Sequence, residues 1–122
     1  MRDYTNIIAW RLADDLTVAF YERTRVFPKE EMYGVTSQIR RSSFSVPANI
    51  AEGASRNSQK EYLHFLYIAR GSLSETRYFL HLSERLGYVD KADAERLQNQ
   101  TTEIFRCLHG LINAVEKEAS TP

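Results

Sequence analysis

Arg40, Arg41, Arg56 and Lys60 give residues 35–60 a net charge of +3, with Glu52 the one acid among them. Residues 1–34 carry −1, residues 61–87 zero and residues 88–122 −2, so the 122-residue chain is neutral overall. Twelve of its sixteen cations are arginines, whose planar forks suit bidentate contacts to phosphate. These four residues are the candidate nucleic-acid contacts, binding RNA or DNA through its phosphates rather than its bases. A solvated face pairing with neighbouring acids is the other account of the same charges.

Asn49, Glu52, Arg70 and Glu75 form a second constellation. Asn49 and Glu52 are three residues apart and share a helix face, and Arg70 is the nearest cation on the helix that follows. Such a set fits a structural polar network that fixes register between two helices, or a cleft for a small ligand or a catalytic step. Glu61-Tyr62-Leu63-His64 is a Glu-x-x-His, but neither His81 nor His109 completes the second pair that a di-iron bundle requires, so no metal and no cofactor is expected. Cys107 and His109, two apart on a helix, point in different directions, and Cys107 reads as a small buried hydrophobe.

The elements that position these residues follow from spacing. Apolar residues recur at steps of three and four in four stretches: Ile8, Leu12, Leu16 and Phe20 to Phe27; Val35, Ile39, Val46 and Ile50; Tyr62, Leu66, Ala69, Leu73 and Leu80; and Ala94, Leu97, Ile104, Leu108, Leu111 and Val115. No stretch alternates with period two. The class is all-α, with helices at about 5–27, 34–55, 59–86 and 91–118 in a single domain, 1–122. Ser58-Gln59-Lys60-Glu61 is a capping box, Gly87 supplies a left-handed helix end, and Asp90 caps the fourth helix. Short links make neighbours antiparallel, giving an up-down-up-down four-helix bundle. Pro47 lies inside the second helix and predicts a kink there, with Ser42, Ser43 or Ser45 satisfying the carbonyls it frees. Gly71, mid-helix, predicts a close approach to the second helix.

One bundle face cannot bury every apolar residue of the third helix. Leu63, Phe65, Tyr67, Ile68, Tyr78, Phe79 and Leu82 exceed its core series, and the first helix adds Ile7, Trp10, Val18 and Tyr21. Large exposed apolar patches are rare on monomers, so the chain is expected to be a homo-oligomer. With one cysteine, no apolar run long enough to span a bilayer and no apolar stretch behind Met1-Arg2-Asp3-Tyr4, a cytoplasmic protein without a signal peptide is expected.

Tyr33-Gly34-Val35-Thr36-Ser37-Gln38-Ile39-Arg40-Arg41, Ser45-Val46-Pro47-Ala48-Asn49-Ile50-Ala51-Glu52-Gly53 and Glu61-Tyr62-Leu63-His64-Phe65-Leu66-Tyr67-Ile68-Ala69-Arg70-Gly71 carry a family resemblance, preceded by Phe27-Pro28-Lys29-Glu30-Glu31. Together they resemble the bacterial four-helix-bundle proteins encoded in intervening sequences of 23S rRNA genes. The resemblance spans nearly the whole chain. A related branch is the accessory protein of diversity-generating retroelements, which partners a reverse transcriptase. The resemblance implies a barrel-like homopentamer and no known enzymatic activity.

Two readings of function follow. The first is a non-enzymatic oligomeric scaffold or adaptor that holds RNA, a ribonucleoprotein or a polymerase-like protein through Arg40, Arg41, Arg56 and Lys60. The second is a small-ligand or catalytic module using the Asn49/Glu52/Arg70 cleft. Salt-steep binding of nucleic acid would favour the first, and a salt-insensitive thermal shift with a small anion the second.

Overall fold

The computed structural model describes residues 2–121; Met1 and Pro122 lie outside it. Four helices occupy most of the chain: α1 (Ile8–Thr24), α2 (Val35–Ala54), α3 (Gln59–Arg85) and α4 (Lys91–Ala119). Among the described residues there is no strand. Each helix packs on the next in sequence and α1 closes on α4, so α1–α4 and α2–α3 form opposite sides of the bundle. Along α2 and α3 the paired residues run in opposite directions: Ser42 meets Thr76 and Gly53 meets Phe65.

The helix ends follow local chemistry. The Ser58 hydroxyl accepts the Glu61 N–H at 3.1 Å, and the Glu61 carboxylate returns to that hydroxyl at 3.2 Å rather than to the Ser58 backbone. Asp90 accepts the Asp93 N–H at 2.8 Å. Gly87 has φ +79°, and the Tyr88 N–H closes the end of α3 on the Ser83 carbonyl at 2.9 Å. Glu31 lies 3.3 Å from the Val35 N–H at the start of α2 and accepts the Tyr88 phenol at 2.7 Å.

The first helix departs from expectation. Asp3 accepts both the N–H and the hydroxyl of Thr5 and stabilises a separate 3₁₀ turn over Tyr4–Asn6. Ile7 is then extended, and α1 begins only at Ile8. Its inward stripe is Ala9, Ala13, Leu16 and Phe20, while Ile8 is exposed and Leu12 half-buried. α1 stops at Thr24, and Phe27 joins Val35, Val89 and Ala94 in a small satellite core. In α4 the buried residue is Ile112, with Leu111 half-buried.

α2 continues through Pro47, which is buried. The carbonyl that the proline leaves without an N–H belongs to Ser43, and its partner is the Thr17 hydroxyl of α1 at 3.1 Å. The serines do not serve it: Ser42, Ser43 and Ser45 donate to Ile39, Arg40 and Arg41 respectively. Thr17 also lies 2.9 Å from the Ala13 carbonyl, so its one proton is shared. Thr17→Val is expected to cost about 1–2 kcal/mol by leaving a buried carbonyl unmet. Pro47→Ala restores an N–H for that carbonyl, so in its background the Thr17→Val cost should shrink. A double-mutant cycle by urea unfolding measures this, and additive effects would contradict it.

Gly71 does not approach α2: a Cβ there would meet nothing within 4 Å. The close approach is at Gly53, where a Cβ would lie 2.9 Å from Phe65 Cβ.

Candidate functional site

The four candidate phosphate contacts divide into separate environments. Arg40 turns toward α1, where its Nε donates to the Thr24 hydroxyl at 2.7 Å and its guanidinium stacks 4.7 Å from the Tyr21 ring centre. Arg41 turns toward α3 and pairs with Glu75 at 2.9 Å. Arg56 leaves the end of α2, pairs with Glu52 at 2.7 Å and lies over the Phe65 ring at 4.8 Å. Lys60 is exposed and lines a shallow depression with Arg56, Glu61, His64 and Phe65.

The Asn49/Glu52/Arg70/Glu75 network does not assemble. Asn49 donates back to the Ser45 carbonyl at 2.7 Å, a local bond available to Asn within a helix. Glu52 and Glu75 are taken by Arg56 and Arg41. Arg70 is exposed and lies over the Tyr67 ring at 5.1 Å. The polar register contact between α2 and α3 is elsewhere: the Thr76 hydroxyl lies 2.9 Å from that of Ser42, both fully buried. Spacing alone could not find it, because Ser and Thr at core positions of a helix usually bond their own backbone.

Arg2 is a residue that sequence reasoning missed. It donates to the Arg56 carbonyl at 2.9 Å and the Ala54 carbonyl at 3.3 Å, bonds Gln59, and stacks 4.2 Å from the Tyr62 ring centre. A cation at the carbonyl end of α2 is also favoured by the helix dipole. Its partners lie more than fifty residues away, so no local motif signals it. Arg2, Arg56, Lys60 and His64 therefore gather at the corner joining α2 to α3, with Glu52, Glu61 and Glu118 among them.

Three tyrosines titrate above the ordinary phenol range. Burial raises Tyr62, whereas Tyr67 and Tyr88 are raised by donating to the carboxylates of Glu116 and Glu31. These groups are poor proton donors near neutrality. Among the described residues no three His, Cys, Asp or Glu side chains cluster as metal ligands, and Glu61 of the Glu-x-x-His is engaged by Ser58. No helix of the described residues is long and apolar enough to cross a membrane.

The side of the bundle formed by α1 and α4 is open along its length. Three depressions follow one another there, of about 360, 140 and 210 Å³. The first lies between Ile8 and Leu111 and includes Cys107, which is half-buried at the surface rather than in the core. The second lies between Leu12 and Ile104, and the third between Ala19 and Leu97. Charged residues rim this trough: Asp15 and Glu103 in the middle, Glu22, Arg23 and Arg96 at one end. The Arg106 guanidinium holds Glu103 below the usual carboxylate range, so it is ionised at neutral pH.

The sequence pattern of the 23S rRNA-intervening sequence proteins matches residues 5–110, which takes in α1, α2, α3 and most of α4. The chain belongs to this family. Its bundle is similar to the crystal structure of a protein of unknown function from the S23 ribosomal protein family of Bacteroides thetaiotaomicron. That likeness has 26% identity and a TM-score of 0.79, covering 86% of this chain and 98% of the other. No relative is found among curated proteins. The matched span takes in the residues of the Arg41–Glu75 and Arg56–Glu52 pairs and those lining most of the trough.

Proposed function

We propose that the protein is a non-enzymatic scaffold that self-assembles and presents its copies to RNA or a ribonucleoprotein. The observation that carries this reading is the apolar surface left open on a well-packed bundle. Ile8, Val18, Phe44, Ile68 and Tyr78 are exposed on helices whose inward stripes are already filled. Burial of such side chains against another copy gains about 25 cal/mol per Å² of apolar area. Phosphate contact centres on the α2–α3 corner, where Lys60 is exposed beside Arg56 and Arg2 is close by. The Arg56–Glu52 pair is a surface pair of the kind worth about 0–1 kcal/mol, so a phosphate displaces the carboxylate at little cost. Repetition of this corner in an assembly would add weak contacts by avidity.

Sedimentation velocity at micromolar concentration tests the assembly; a single subunit there would overturn the reading. Filter binding of RNA to the assembled protein tests the contact. Retention should fall steeply with salt, and Lys60→Glu with Arg56→Glu should abolish it while leaving sedimentation unchanged. No retention at low salt would remove RNA from the proposal.

A further inference from the structure

We infer that the α2–α3 corner holds a guanidinium socket, closed by Arg2 in this structure and open to an arginine side chain of a partner protein when residues 2–7 lift away. The inference goes beyond the scaffold reading and does not depend on it.

The socket is built from acceptors. One terminal nitrogen of Arg2 donates to the Ala54 carbonyl at 3.3 Å and the Arg56 carbonyl at 2.9 Å, and the other donates to the Gln59 amide oxygen. Gln59 turns its oxygen to Arg2 because its NH2 donates to the Glu118 carboxylate, which can only accept. Glu118 is thus a positioning residue for the socket. The guanidinium carbon lies 4.2 Å over the centre of the Tyr62 ring, a side chain only 2% exposed. The two carbonyls stand at the C-terminal end of α2, where the helix dipole favours a cation. Acceptors around the edge of a flat group, with a ring beneath its face, suit a guanidinium. A lysine ammonium can neither fork between them nor stack.

The segment that carries Arg2 is lightly held. Among residues 2–6 every side-chain hydrogen bond to another element is made by Arg2, while Asp3 bonds only Thr5 and Asn6. The Tyr4–Asn6 turn buries no side chain, and Tyr4 rests edge-on against Trp10 at the surface. Release of Arg2 therefore frees this segment from α2, while α1, which begins at Ile8, stays in place. The emptied socket offers two carbonyls, an oriented amide oxygen and an aromatic face beside a carboxylate. A second guanidinium restores each contact. Arg2 and Glu118 both lie outside residues 5–110, so neither belongs to what the family pattern defines.

Nα-acetyl-arginine amide is the probe, and Nα-acetyl-lysine amide, of equal charge, is its control. Arg2→Ala should lower the midpoint of thermal unfolding by about 5 °C. The arginine probe at millimolar concentration should recover much of that loss saturably, and the lysine probe none of it. Gln59→Leu in the same background should abolish the recovery. Arg2→Lys keeps the charge and should show the same selective recovery, which covers the case of an Arg2→Ala chain that folds poorly. In the parent Arg2 competes, so the arginine probe should act only at roughly tenfold or more higher concentration. There the Arg2 side-chain N–H signals of isotope-labelled parent should move to the position of a solvated arginine. Recovery by both probes alike, or by neither, would overturn the socket. Arg2 signals unmoved at roughly a hundredfold the concentration that rescues the variant would show that no partner's arginine can enter.

Discussion

Gly53→Val is expected to destabilise the subunit by about 3 kcal/mol, because α2 and α3 touch at this residue with no room for a side chain. A Cβ at Gly53 would lie 2.9 Å from Phe65 Cβ, 3.0 Å from Tyr62 Cδ1 and 3.2 Å from the Tyr62 carbonyl oxygen. Phe65 Cβ is tied to its own backbone, the Tyr62 ring is buried and hemmed in by the core, and the third atom is backbone, so none can swing aside. Relief requires the helices to separate, which would strip contacts from Ile50, Tyr62 and Leu66 in the core. For a domain of this size the midpoint of thermal unfolding should fall by roughly 10 °C. A midpoint within two or three degrees of the parent would disprove the close approach. Gly71 is the control of opposite sign. Gly71→Ala meets nothing within 4 Å and should stabilise the isolated subunit by up to about 1 kcal/mol through helix propensity.

These two glycines mark what the sequence can and cannot convey. Both stand in helical patterns, and periodicity gives no means of deciding which one faces a neighbour. The cap residues were legible, since Ser58, Gly87 and Asp90 act on atoms three or four positions away. So were the stripes of α2 and α3, where core residues are large enough to define a face. Leu16 and Phe20 of α1 were read correctly, but the first half of its stripe was misread by one residue. Its true inward positions, Ala9 and Ala13, are small, and the larger Ile8 and Leu12 beside them dominate the pattern while lining the trough. The polar network was misassigned for a related reason. Glu52 and Glu75 do bind arginines: Glu52–Arg56 is an i,i+4 pair within reach of helix spacing, whereas Arg41–Glu75 crosses from α2 to α3, which spacing on one helix cannot show. Arg2 and Thr17 were invisible because each serves a backbone carbonyl far along the chain, and a carbonyl has no sequence signature.

The small stripe of α1 leads to the largest expected effect. Of its inward residues Ala9, Ala13, Leu16 and Phe20, the phenylalanine brings most of the apolar bulk that holds this helix to the bundle, and it is 1% exposed. Phe20→Ala is therefore expected to cost about 4 kcal/mol, the transfer of the ring plus the cavity left behind. Against a total of about 5–15 kcal/mol that is a large share, and the unfolding midpoint should drop by roughly 15 °C. Tyr21, the next residue, faces outward onto Arg40, and Tyr21→Ala should cost the subunit only about 0.5–1 kcal/mol. The dependence of the midpoint on protein concentration separates subunit packing from assembly, because only a self-associating native state is stabilised by mass action. Phe20→Ala should shift every midpoint downward and keep the rise with concentration, since its cavity is internal and the trough surface keeps its chemistry. Ile8→Arg, on the trough, should do the reverse: little change in dilute solution and loss of the rise. A Phe20→Ala variant that melts within a few degrees of the parent would mean that α1 is held chiefly from outside the bundle.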